Sequence, residues 1–188
     1  MVIKVLLLGD GGIGKTTLAV KAAGRPQSHD GKITIFFDTH LIKTPILSEN
    51  IMIFDFGGQR QFRALLNEKL PLLTRACAAL VCFDLSRFVT YKNLEFWFNL
   101  LMKLPPLPIA LVGTKQDKEP AVDQQLIQEL MTQKNIDMYF ETSSFLNYNI
   151  LAPFQWVIQV TKKNHSSSEL NSKALILQIQ TPIQKQLT

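Results

Sequence analysis

The 188-residue sequence is poor in cysteine: it has two, Cys77 and Cys82, and both lie in the apolar run Cys77-Ala-Ala-Leu-Val-Cys-Phe83. In a strand a separation of five puts them on opposite faces, so they are poorly placed to pair. They read as reduced core residues of a cytosolic protein rather than as a disulfide framework. No stretch approaches the ~18 apolar residues of a membrane span. The N-terminus runs straight into a strand-like segment, Val2 to Leu8, without the basic region, apolar stretch and small-residue cleavage site of a signal peptide. There is no block of like charge either. The net charge of +5 is spread along the chain, so a solvated surface is a simpler reading than a face for nucleic acid or anionic membrane. No internal repeat is visible.

What is present is a chain of single-domain size, 46% hydrophobic and 19% charged, hence globular rather than disordered. Strand-like runs alternate with helical patterns. Val2–Leu8, Ile46–Asp55, Ala76–Asp84, Pro108–Gly113 and Met138–Glu141 read as strands, with Thr39–Thr44 a hairpin partner of the second. Lys15–Ala23, Asn93–Leu104, Val122–Lys134 and Ile150–Lys162 read as helices. Such alternation implies an α/β fold: a doubly wound, mostly parallel sheet of six strands with helices on both faces, and ligands at the carboxyl ends of the strands. After Lys163 the character changes. Residues 1–163 form the expected domain. Residues 164–188 read as a serine-rich linker followed by a tail, Ala174–Thr188, compatible with a short strand, a docking segment or disorder.

Gly9-Asp10-Gly11-Gly12-Ile13-Gly14-Lys15-Thr16 fits the pattern G-x-x-x-x-G-K-[ST], and Thr17 follows. With glycine near ~7% of residues, a chain of this length matches by chance about once in a hundred sequences or fewer. The loop follows a strand and opens a helix, which is the context a phosphate cradle needs. Glycines let successive backbone N–H groups converge on phosphate oxygens, and the helix dipole adds to the attraction. Lys15 is expected to bridge β- and γ-phosphates and the Thr16 hydroxyl to bind Mg²⁺. A bare glycine turn needs neither residue.

Asp55-Phe-Gly57-Gly58-Gln59 ends the next apolar strand. A carboxylate there can hold Mg²⁺, usually through water. Gly58 can present its N–H to a γ-phosphate, and the Gln59 amide, which both donates and accepts, can orient an attacking water. With this D-x-x-G-Q pattern at a suitable distance from the glycine loop, the chain resembles the small GTPases of the Ras superfamily, whose domain is a P-loop G-domain. The double glycine is similar to Arf-like proteins and heterotrimeric G-protein α subunits, and Phe62-Arg63-Ala-Leu65 to Rab-like proteins; the mixture leaves the subfamily open.

The resemblance extends to two base-reading segments. Thr114-Lys115-Gln116-Asp117 is similar to the family's [NT]-K-x-D motif in the threonine form of Rac-like members. It implies that the Asp117 carboxylate accepts from guanine N1–H and the N2 amine, donors that adenine lacks on that edge, and that the Lys115 stem lies along the purine. Glu141-Thr142-Ser143-Ser144 is similar to the family's E-T-S-A segment and puts the Ser144 N–H at guanine O6. A threonine after the first helix should close over Mg²⁺ and the γ-phosphate. Thr34, Thr39 and Thr44 are candidates, and Thr34, 19 residues beyond Lys15 and followed by Ile-Phe-Phe-Asp38, matches the family spacing best. Of Phe36 and Phe37, strand alternation leaves one as core and one as contact residue. Gln27 stands where relatives carry a guanine-packing aromatic, which implies faster nucleotide exchange.

The resemblance implies a GTP/GDP switch with slow, Mg²⁺-dependent hydrolysis. Its partners would be an effector at Thr34–Asp38 and Gly57–Leu66, an exchange factor and a GTPase-activating protein. Nucleic acid is not implied. Residue 2 is Val2 and the chain ends Ile183-Gln-Lys-Gln-Leu-Thr188, so no lipidation motif is present and membrane contact would be indirect. A non-hydrolysing GTP-binding scaffold would carry the same sites, and an adenine-using P-loop enzyme is opposed by Asp117.

Overall fold

Strand β1 (Val2–Gly9) is apolar on both faces. Ile3, Val5 and Leu7 join one core cluster, Leu6 and Leu8 the other, and none is more than 1% exposed. Such a strand belongs inside a sheet that is covered on both sides. That is its place in the computed structural model, which describes residues 2–25, 34, 37–43, 47–59, 73–164 and 166. The remaining strands are β2 (Phe37–Ile42), β3 (Asn50–Phe56), β4 (Ala78–Asp84), β5 (Ile109–Thr114) and β6 (Met138–Glu141). They lie in the order β2-β3-β1-β4-β5-β6. β2 runs antiparallel to β3 and every other pairing is parallel. The expected mostly parallel six-stranded sheet is therefore present.

Helices α1 (Lys15–Ala22) and α5 (152–164) cover one face, where Leu18, Ala19, Phe154 and Val157 pack with Ile3, Val5, Leu80 and Cys82. Helices α3 (Leu94–Leu101) and α4 (Gln124–Lys134) cover the other, where Trp97, Leu101 and Ile127 pack with Leu6, Leu8, Val81 and Phe83. A short helix, α2 (Phe88–Lys92), precedes α3. α4 is capped by Asp123, whose carboxylate accepts from the Gln125 N–H at 2.9 Å, worth about 1 kcal/mol.

Several boundaries differ from the sequence reading. α3 stops at Leu101 rather than Leu104; the chain turns ahead of Pro105 and Pro106, which cannot continue a helix. β3 begins at Asn50, after a bend over 47–49, rather than at Ile46. Cys77 precedes β4, so strand alternation does not govern it; it packs beside the same cluster that holds Cys82, and both thiols are free. Phe37 is 38% exposed and its ring stacks on Phe56 at 6.0 Å. Gln27, Phe36, Thr44, residues 60–66 and the tail Ala174–Thr188 lie outside the described residues.

Candidate functional site

Because β1 is parallel to β3, β4 and, through β4, to β5 and β6, the carboxyl ends of these five strands share one rim. The glycine loop, Asp55–Gln59, Thr114–Asp117 and Glu141–Ser144 stand on that rim. At the end of β1 the chain turns through residues 10–14 into α1. Gly14, at the helix N-cap, has φ 96°, a left-handed conformation that a side chain strains. No side chain caps α1, so its first N–H groups and the positive end of its dipole face the loop.

Lys15 bends back over the same loop. Its Nζ donates to the carbonyls of Gly9 and Asp10, both at 2.8 Å, and the residue is 5% exposed. An acid inside an anion-binding loop would defeat its purpose if it faced inward. Asp10 is turned towards α3, where its carboxylate accepts from Asn93 Nδ2 at 2.5 Å and from Trp97 Nε1 at 3.1 Å.

Beside the loop, Thr16 donates to the Asp55 carboxylate, and the Thr34 hydroxyl lies 3.0 Å from Thr16 Oγ1. Of the three threonines weighed for this role, Thr34 lies beside Thr16, Thr39 lies within β2 and Thr44 is outside the described residues. Asp55 is fully buried and its Oδ1 has no hydrogen-bond partner. Two hydroxyls and a carboxylate with one unsatisfied buried oxygen form a hard-oxygen set that fits Mg²⁺. No cluster of three or more His, Cys, Asp or Glu able to hold a metal occurs among the described residues. Buried His40 approaches from β2, with Nε2 3.7 Å from Asp55 Oδ2 and 3.9 Å from Asp38 Oδ2.

Gly58 touches the phosphate loop directly. A Cβ there would sit 2.1 Å from the Gly9 carbonyl oxygen, 2.2 Å from the Asp10 carbonyl carbon and 2.4 Å from the Gly11 nitrogen. All three are backbone atoms, so no side chain fits. Gln59 follows at once and lies over Gly11.

Besides His40, two residues at this rim, Asp84 and Arg87, escaped the sequence reading. Asp84 ends β4 and is fully buried. It accepts from Lys115 Nζ and Arg87 Nε, both at 2.7 Å, and from the Ser86 hydroxyl at 2.7 Å. Burial alone would raise its pKa, but the hydrogen bonds from Lys115, Ser86 and Arg87 outweigh that and hold it below the ordinary aspartate value. The same two cations reach the Gly12 carbonyl, Lys115 Nζ and Arg87 Nη2 each at 3.1 Å. An acidic residue closing an apolar strand, as Asp55 also does, is the signal that would have marked Asp84.

On the far side, Thr114 is buried and its Oγ1 lies 2.7 Å from the Ile13 carbonyl and 2.9 Å from that of Phe83. Its hydroxyl therefore holds the phosphate loop to the sheet. Thr142 is likewise buried: its N–H donates to the Gly113 carbonyl at 2.8 Å and its own carbonyl accepts from the Gln116 N–H at 3.1 Å. These bonds fasten the Thr114–Asp117 and Glu141–Ser144 segments together. Ser143 donates its hydroxyl to Asp117 Oδ1. Asp117, Lys115, Ser144, Thr17 and Ile13 border one cleft of about 370 Å³.

Residues 4–163 match the model of the Ras family. Among similar proteins are "Ras-related protein Rab-25" of Canis lupus familiaris, 30% identical over an alignment of 184 residues that covers 93% of this chain and 85% of the relative, and its Mus musculus counterpart, 30% identical over an alignment of 176 residues that covers 91% and 81% of the two chains. No helix among the described residues is long and apolar enough to cross a membrane. The chain therefore belongs to the Ras family, the small GTP-binding proteins of the Ras superfamily.

Proposed function

We propose that this protein is a GTP/GDP switch that hydrolyses GTP slowly by itself, and that residues 1–163 are its G-domain with 164–188 a linker and tail. The observation that carries this reading is the 3.0 Å approach of Thr34 to Thr16. It joins a threonine from the segment after α1 to the phosphate loop, where a terminal phosphate can hold or release it.

In this reading the backbone of Gly9–Thr17 and the Lys15 ammonium bind the phosphates. Thr16 and Thr34 would hold Mg²⁺ with Asp55 behind them, and the ion would supply charge neutralisation of the phosphates. Gly58 presents its N–H to the γ-phosphate, and Gln59 orients the attacking water. Asp117 reads the N1–H and N2 amine of guanine, with Ser143 fixing one of its oxygens and the Ser144 N–H facing O6. Thr114, Lys115 and Thr142 keep that wall in register with the loop. Arg87 reaches the loop but is engaged with Asp84 and the Gly12 carbonyl. Rapid turnover therefore needs an activating partner, whose arginine can add ~10³–10⁵ in rate. An effector would read Thr34–Asp38 and Gly57–Leu66, an exchange factor would empty the site, and the protein would work in the cytoplasm.

The test is to identify the nucleotide that accompanies the purified protein and to follow one turnover of GTP. Bound GDP or GTP and hydrolysis faster than in buffer are expected. Bound ATP would overturn the base assignment. A GTP complex that does not decay would reduce the protein to a binding scaffold.

A further inference from the structure

The turn after Ser143 is closed and anchored at both ends. Ser143 and Tyr148 exchange backbone hydrogen bonds of 3.1 and 2.9 Å, and the Leu146 N–H donates to Ser143 Oγ at 3.1 Å. Asn147 and Asn149 take left-handed conformations, φ 52° and 56°. Asn147 Oδ1 accepts from Lys21 Nζ of α1 at 2.7 Å, and Asn149 Nδ2 donates to the Glu141 carbonyl at 3.0 Å. Inside this frame Phe145 stands 82% exposed. A rigid turn that holds a phenyl ring in water does so at the expense of burial. Of the exposed apolar residues on the turn, Phe145, Leu146 and Tyr148, only Phe145 borders the cleft it shares with Lys115, Asp117 and Ser144.

We propose that Phe145 is the aromatic platform on which the purine base stacks, an inference that rests on the assignment of Asp117 as the guanine reader. The cleft combines a carboxylate suited to the edge of a planar heterocycle with an apolar ring suited to its face. A base covering the ring buries the surface that the turn leaves in water, and stacking is insensitive to which purine is present. The recognition divides accordingly: Asp117 selects guanine, while Phe145 adds affinity without selectivity. A docked protein segment is a poorer fit, because it would have to satisfy Asp117 as well as cover Phe145.

The experiment compares the full chain with Phe145→Ala, Phe145→Leu and Phe145→Trp, measuring release of GDP and of IDP and the melting temperature without nucleotide. Because Phe145 is exposed, nucleotide-free stability should be unchanged in all three. Phe145→Ala should release both nucleotides about tenfold faster, by the same factor. Phe145→Trp should restore slow release, Phe145→Leu should fall between, and the new tryptophan's emission should be quenched by GDP but not by pyrophosphate. A wild-type chain that binds no GDP would overturn the function proposed above. A wild-type chain that binds GDP, with a Phe145→Ala variant that releases it equally slowly, would overturn the stacking role alone and leave the turn as a protein contact. A Phe145→Trp variant no better than Phe145→Ala would overturn it as well.

Discussion

A Cβ added to Gly11 would stand 3.3 Å from Gln59 Cγ and 3.6 Å from the Gln59 nitrogen. The phosphate loop and the proposed water-orienting residue thus meet at a position with almost no spare room. Gly11→Val should push Gln59 aside while leaving the phosphate-binding amides in place. Single-turnover GTP hydrolysis should fall by about 10²-fold, as misplacement of a catalytic group by ~1 Å does, with GTP affinity little changed. Gln59→Leu should give the same phenotype, and an undiminished rate in either variant would count against the role of Gln59.

Gly58→Ala has a harsher effect on the same segment, because the atoms its Cβ meets are all backbone. The strand end at Phe56 is held by the sheet, so the displacement must fall on residues 57–59. Hydrolysis should drop at least ~tenfold while GDP binding survives. Equal rates for Gly58→Ala and the parent would mean that the contact does not persist in the working enzyme.

The oxygen set at Thr16 predicts how metal removal acts. Chelation of Mg²⁺ should speed GDP release in the parent protein. Thr16→Ala should release GDP quickly with or without chelator. A chelator response in Thr16→Ala as large as the parent's would place the ion elsewhere.

Asp84 makes a prediction about acid. Its carboxyl is held below the ordinary range, so its contribution to stability is fully present above about pH 4 and is lost as pH falls through the lower folded value. Asp84→Asn should cost roughly 2 kcal/mol at pH 7, less than for a fully enclosed ion pair because the Lys115 and Arg87 side chains are 29% and 43% exposed. The gap between parent and variant in urea denaturation should narrow as the solution is acidified below pH ~4. A gap that is independent of pH would show that Asp84 acts through packing rather than charge.

Cys82 makes the opposite prediction at the alkaline end. Burial, only partly offset by Lys15 and reinforced by Asp55, pushes its thiol up to about 12. The unfolded thiol ionises first, so stability is intact below about pH 8.5 and declines by up to ~1.4 kcal/mol per pH unit above it until the folded group titrates. Cys82→Ala should flatten that part of the denaturation profile between pH 9 and 11. A slope identical to the parent's would mean that Tyr91 and Tyr139, whose pKa values are also raised, account for it.

The parts of the site that were legible in the sequence are those whose chemistry depends on adjacent residues. Gly9–Thr16 and Thr114–Asp117 carry their meaning in their own order, and each β run announced the rim on which they stand. Thr34 was legible by spacing and is met by Thr16 at 3.0 Å. Asp84, Arg87 and His40 were not, because each acquires its role from a neighbour distant in the chain: Gly12 for Arg87, Asp55 for His40, Lys115 for Asp84. The short helix α2 was missed because five residues do not display a 3.6-residue period. Thr114 stands in a motif read for the base, yet its hydroxyl is directed at the backbone carbonyls of Ile13 and Phe83 and binds loop to sheet.

The register of the central strand has a consequence for how the molecule folds. Val2 pairs with Asn50 and Val5 with Ala78, so the strand finds its partners only 48 and 73 residues further along the chain. Contacts this far apart in the chain pay for loop closure before they are rewarded, which slows folding. The phosphate loop begins where that strand ends, so it takes shape in the same late event that completes the sheet. A ligand that favours the finished loop adds its free energy to the folded state alone. Bound nucleotide should therefore make the central strand, as well as the loop, harder to unfold.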